Sequence, residues 1–286
     1  MTNSLAGTAL PLWSDALKQG FRLVPRARLL FLVPVGFDLA ILAMLLIVAM
    51  PTAASPQFTL PVALPSVSQV RGPGEGALPF YPLYMLTASG DLATALLLLV
   101  LVVQSYLATG YLGRLEMIRT GRTGGFFASA NLAFARVLAF LAITTFLVLA
   151  ASPFLLGGLG QGPATIFVFA AVLAVLYFLF LTPFVVVVDN APLSFALRRS
   201  IELAARRFPE VVPYCLGYAT ITLLASIAFF LVGWWPVGVL VFPFLYAIVG
   251  TGLVGSTLYL YEGLRPVESV PVLTPEPEPV EEAVPA

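Results

Sequence analysis

The chain has 286 residues, 60% hydrophobic and only 10% charged, with a mean hydropathy of +1.00. A soluble domain carries about 25% charged residues, so this composition belongs to a membrane protein. The 14 Lys and Arg match 14 Asp and Glu, with no His and one Cys. That excludes His triads and switches, His metal sites, CxxC centres and intrachain disulfides, and no basic tail suggests nucleic acid.

Residues 1–28 form an amphipathic segment carrying Lys18, Arg22, Arg26 and Arg28. The apolar stretch 29–50 follows, and Ala53-Ala54 could imitate a signal cleavage site. A signal h-region has about 7–15 residues, fewer than this stretch, so a retained transmembrane helix is expected. Residues 51–90 are rich in Pro, Gly and Ser and read as an outer loop, with Phe80, Tyr81 and Tyr84 suited to the interface. Further spans are expected at about 92–112, 136–156, 164–188, 211–232 and 237–261. The fourth should kink near Pro183. Residues 263–286 alternate Pro, Val and Glu without periodicity and read as a disordered tail.

Between the fourth and fifth spans lies LTPFVVVVDNAPLSFALRRSIELAARRFPEVVPY, residues 181–214. Asp189 or Asn190 can accept hydrogen bonds from backbone N–H groups at a helix start, and Pro192 suits the first turn. Leu193, Leu197, Ile201, Ala204 and Phe208 then share one side, with Arg198, Arg199, Glu202 and Arg206 opposite. Glu202 stands four residues from both Arg198 and Arg206, the spacing of helical ion pairs. The stretch reads as a cytoplasmic elbow helix lying in the interface. Its apolar face turns towards acyl chains or the bundle, and its Arg198, Arg199, Arg206 and Arg207 either set topology alone or form a lipid-headgroup or partner site.

Of the 14 Lys and Arg, 13 fall in the N-terminal segment, the 113–136 region, the elbow and Arg265, and only Arg71 falls elsewhere. The positive-inside rule then places both termini and both basic loops in the cytoplasm. The expected fold is an all-α membrane protein of six transmembrane helices. They form three in-out-in hairpins with amphipathic cytoplasmic elbow helices. An internal repeat agrees: SDALKQGFRL (14–23) matches SFALRRSIEL (194–203) at Ser, Ala, Leu and the final Leu, with Lys18 opposite Arg198. FFASANLAFARVL, before the third span, is a weaker third copy.

The elbow stretch and its N-terminal copy, SDALKQGFRLVPRARLLFLVPVGF, resemble a group of bacterial six-helix membrane proteins of unknown function. These include the membrane domain fused to some glycerophosphodiester phosphodiesterases. The likeness extends in layout over about residues 14–262 and is motif-like only in the elbow. It implies a bacterial inner-membrane protein and nothing catalytic, because the phosphodiesterase chemistry belongs to a separate domain. The outer loop and the acidic tail are not part of that pattern.

Gly250 to Gly255 fits G-x-G-x-x-G literally, but inside the expected sixth span it reads as close helix packing, as do Gly110 and Gly113. Cys215, within an apolar run, reads as packing. Asp38 lies about 14 Å along the first span, near mid-membrane, where a bare carboxylate costs roughly 2.5–3.5 kcal/mol. It should face the bundle, with Gln104 of the second span at comparable depth. The pair reads either as a structural clasp or as a proton or solute site. Asp91 and Glu262 should be solvated, and Asp189 should be a cap or a partner of elbow arginines. No constellation suits a metal, a cofactor or a nucleophile, so no enzyme is expected. The function read from the residues is a lipid- or partner-binding scaffold or accessory protein. The alternative is a transporter of a small or lipidic solute. The expected partners are membrane lipids and other membrane proteins.

Overall fold

The computed structural model describes residues 12–48, 91–156, 163–232 and 236–265. The expected outer loop 51–90 and the tail beyond 265 lie outside the described residues. Every regular element among the described residues is helical. The helices are α1 (Leu12–Leu23), continued by a 3₁₀ turn (Val24–Ala27), α2 (Leu32–Val48), α3 (Asp91–Thr120) and α4 (Phe126–Leu156). After these come α5 (Pro163–Leu179), α6 (Thr182–Val188), α7 (Leu193–Arg206), α8 (Phe208–Val232) and α9 (Pro236–Leu264).

Five stretches among the described residues are long and apolar enough to cross a membrane. They are Leu98–Thr120, Phe126–Leu147, Ile166–Val188, Phe208–Ala225 and Pro243–Leu264. The first expected span is described as a helix of 17 residues and is not among these five. The helices outrun the expected boundaries. α3 continues to Thr120 and α4 starts at Phe126, because the GRTGG turn is confined to five residues and Gly121 supplies its left-handed φ of +70°.

The expected kink is a break. Pro183 has no N–H for the carbonyl four residues earlier, and α5 ends at Leu179 before α6 restarts at Thr182. Ser200 of α7 docks at this break by donating its hydroxyl to the Phe178 carbonyl at 2.6 Å. Thr182 sits in the same break, fully buried and without a hydrogen-bond partner for its hydroxyl.

Small residues set three close helix contacts. α1 packs along the C-terminal half of α9, where Ser256 Oγ donates to the Leu17 carbonyl at 3.3 Å. A Cβ built at Gly20 would stand 2.2 Å from the Ser256 nitrogen, and one at Gly252 would stand 2.6 Å from the Phe21 ring. Gly252 and Gly255 of the G-x-G-x-x-G stretch therefore admit a helix, as the packing reading expected. Gly110 and Gly113 do the same for α3, facing Phe126 and Ser129 at the start of α4. Ser200 makes the third contact, between α7 and α5.

The repeat is visible in burial. Ala16, Gly20 and Leu23 are the buried residues of α1, and their counterparts Ala196, Ser200 and Leu203 are buried in α7, together with Ala204. Each helix thus presents its small-residue stripe to a long apolar helix.

The interior is sealed by hydroxyls whose bonds are internal. Tyr111 of α3 donates to Thr251 Oγ1 at 2.8 Å, and Tyr214 of α8 lies 2.7 Å from Thr257 Oγ1, both on α9. Thr251 and Thr257 in turn donate to the carbonyls four residues earlier. A buried hydroxyl left unpaired costs about 1–3 kcal/mol, so these bonds fix which face of α9 meets α3 and α8.

Candidate functional site: the elbow junction and the basic surface

The polar residues converge where α3, α6 and α9 end. Asp189 closes α6, its backbone N–H bonded to the Val185 carbonyl. Its carboxylate is almost completely buried, with its side chain 2% exposed. Tyr261 donates its hydroxyl to Oδ2. Arg265 brings Nη2 to 3.1 Å from Oδ1, as a counter-charge off the line of a hydrogen bond. Burial pushes the Asp189 carboxyl above its ordinary range, while Tyr261, Arg265 and the more distant Arg199 pull the other way.

Asn190 adopts φ +49°, the left-handed conformation that Asn tolerates better than most residues. It turns its amide oxygen towards Arg136 of α4, whose guanidinium also donates to the Ala191 carbonyl at 2.8 Å. Arg136 is therefore the anchor of the elbow entrance, a role that its place in a basic loop did not disclose.

The capping expectation is corrected. The N-cap of α7 is Pro192, which makes no side-chain cap bond. Asp189 instead faces Tyr261 and Arg265, and Asn190 faces Arg136, because both side chains find charged or hydroxyl partners on neighbouring helices. Of the elbow's apolar side, Ala204 is buried, Leu193 and Leu197 are half-buried, and Ile201 and Phe208 are 45% and 55% exposed, while the small stripe of Ala196, Ser200 and Ala204 takes the bundle-facing side. Glu202 pairs with Arg206 at 3.0 Å and with Arg199 at 3.4 Å, not with Arg198. Arg207 pairs with Glu210 at 3.4 Å.

At the end of α3, Arg119 binds Glu116 at 2.7 Å and Glu262 of α9 at 3.3 Å. Glu262 is exposed, as expected, yet ties two helices together. Arg114 donates to the Gly124 carbonyl at 2.8 Å and holds the turn closed. Asp38 is buried on α2, and Gln104 is half-buried on α3, which packs against α2. Cys215 is half-buried against the core with a free thiol. Among the described residues, no group of three or more His, Cys, Asp or Glu side chains comes together.

Neither a protein-family model, nor a curated protein, nor a solved structure matches the chain.

Proposed function

We propose that the chain is a non-enzymatic, multi-pass protein of the cytoplasmic membrane that binds lipids or membrane partners, as scaffold or accessory factor. Six spans form three hairpins that begin and end in the cytoplasm, with α1 and α7 as elbow helices. The same reading places it with the bacterial six-helix membrane proteins that its elbow stretch resembles. The observation that carries the reading is the use of the charged groups at the elbow junction. Arg136, Asp189, Arg265, Arg119 and Glu262 all hold one helix end to another. Lys18, Arg22, Arg26, Arg28, Arg122, Arg198, Arg206 and Arg207 are exposed. Apolar residues such as Phe146, Phe167, Leu216 and Leu224 lie exposed on the long helices, as a lipid-facing surface requires.

A second reading, a transport protein, draws on the broken α5–α6 helix with its unpartnered Thr182 and on buried Asp38. Interrupted helices and intramembrane carboxylates are recurrent parts of substrate pathways. Proton flux in proteoliposomes under an imposed pH gradient separates the two. The scaffold reading expects no flux above that of protein-free vesicles. Flux in the wild type that Asp38→Asn removes without unfolding the protein would replace it with the transport reading.

A further inference from the structure

We propose that α1 and its 3₁₀ extension, not the arginine-rich α7, form the site for anionic phospholipid headgroups. This rests on the membrane-embedded reading above and names the ligand class and the residues.

Most of the other basic side chains already have partners. On α7, Arg199 and Arg206 share Glu202, and just beyond it Arg207 has Glu210, leaving Arg198 exposed and unpaired. Near the helix ends, Arg114, Arg119, Arg136 and Arg265 are bound to carbonyls, an amide oxygen or carboxylates. Arg122, in the turn after α3, is exposed and single like Arg198, whereas Lys18, Arg22, Arg26 and Arg28 form a group. All four are exposed, and none makes an ion pair or hydrogen bond among the described residues. Asp15 is the only carboxylate before Asp38 in the sequence, so this segment carries strong net positive charge.

Depth supports the same assignment. α9 has 29 residues, about 43 Å at 1.5 Å per residue, against a hydrocarbon core of about 30 Å. Its C-terminal end carries Glu262 and Arg265, so the surplus length belongs on the cytoplasmic side. Ser256 lies eight residues before Leu264, about 12 Å along the helix. That sets Ser256, and Gly20 seated against it, at the boundary between acyl chains and headgroups. Next to the four cations, Phe21, Leu29 and Leu32 expose apolar side chains, Leu29 being 78% exposed. Unpaired cations interleaved with exposed apolar groups suit a surface that meets acyl chains and phosphates together. Leu29, beside Arg28 and 78% exposed, is the position for a tryptophan reporter, because Trp13 lies at the level of the Leu12–Gly263 contact, away from the acyl chains.

The test uses the full chain in nanodiscs, with Leu29→Trp in a Trp13→Phe/Trp234→Phe/Trp235→Phe background so that position 29 alone reports. Brominated phosphatidylglycerol and brominated phosphatidylcholine serve as contact quenchers. The expected result is preferential quenching by phosphatidylglycerol. Single Gln substitutions at Lys18, Arg22, Arg26 or Arg28 should each weaken the preference up to about fivefold, the effect of one charge near an anionic surface. The quadruple Gln variant should lose it, and Arg22→Lys/Arg26→Lys/Arg28→Lys should keep it. Arg198→Gln/Arg206→Gln/Arg207→Gln should leave it unchanged. Equal quenching by both lipids overturns the proposal, as does a preference that survives in the quadruple variant or disappears in the α7 variant. A second reporter, Leu224→Trp in the same background without Leu29→Trp, checks the underlying reading. If neither lipid quenches it, the membrane assignment of α8 fails, a result distinct from loss of headgroup preference at position 29.

Discussion

Arg265 Nη2 lies 3.1 Å from Asp189 Oδ1, which joins the end of the last helix to the residue that opens the elbow. Burial raises the Asp189 pKa above its ordinary 3.8. The folded state therefore favours the protonated carboxyl more than the unfolded chain does. This contribution is fully present below about pH 3.8 and is lost as pH rises through the elevated folded value. On acidification from neutral pH, the wild type should gain thermal stability relative to Asp189→Asn, which has no such titration. Thermal unfolding of both proteins across a pH series reads the difference. A relative loss on acidification would mean that the ion pair outweighs desolvation.

The same pair predicts non-additivity. Arg265→Gln strands a buried carboxylate and should cost about 1–2 kcal/mol, less than a fully buried pair because Arg265 is partly exposed. Combining it with Asp189→Asn should cost less than the sum of the single changes. Additive losses in a double-mutant cycle would show that the two side chains are not coupled.

The seat of α1 on α9 should be intolerant of a single methyl group. Gly20→Ala places its Cβ 2.2 Å from the Ser256 nitrogen and 2.5 Å from the Gly252 carbonyl oxygen, so backbone must move. A loss of about 1–3 kcal/mol is expected, as for other overpacked sites. Gly36→Ala is the control, because no atom lies within 4 Å of a Cβ there. Thermal melts in detergent should rank the two variants clearly, and equal melting temperatures would contradict the close approach.

How much of this was legible in the sequence depended on the kind of signal. The apolar stretches at 136–156 and 211–232 announced helices because length and hydropathy suffice for them. Pro183 marked the break because a missing N–H is a property of one residue. The stripe Ala196-Ser200-Leu203 was less visible than Leu197 and Ile201, since a hydrophobicity pattern weights large side chains while close helix contact selects small ones. The partners of Asp189 and Asn190 could not be read at all. Tyr261 lies 72 residues from Asp189 and Arg136 lies 54 residues from Asn190, and nothing local records such distances. By its place in the sequence Arg136 is one more topology-setting cation, and only the packing of α4 against the elbow entrance gives it a partner.

Arg136 and Asn190 should therefore show coupling of their own. Arg136→Gln should release both the Asn190 side chain and the Ala191 carbonyl. Asn190→Gly keeps the left-handed backbone while removing only the amide acceptor, so it should be the milder change. Asn190→Val adds about 1–2 kcal/mol of backbone strain on top, because a β-branched residue is ill suited to φ +49°. Stability in the order wild type, Gly, Val is expected. Val equal to Gly would remove the strain argument.

The topology can be tested in intact cells with cysteines placed in a Cys215→Ser background. The segregation of 13 cations from Arg71 motivates the orientation, and the contacts at the elbow junction add a physical reason for it. Arg119, Glu262, Arg136, Asp189 and Arg265 meet where α3, α6 and α9 end and α4 begins, so these ends belong on one side of the bilayer. A membrane-impermeant maleimide should modify Ser66→Cys from outside and spare Thr123→Cys, which lies exposed in the turn between α3 and α4. Ser269→Cys should also be spared until the membrane is permeabilised. Labelling of Thr123→Cys with protection of Ser66→Cys would invert the protein. Opposite results at Thr123→Cys and Ser269→Cys would mean that α3 and α9 end on different sides, which the Arg119–Glu262 ion pair cannot accommodate.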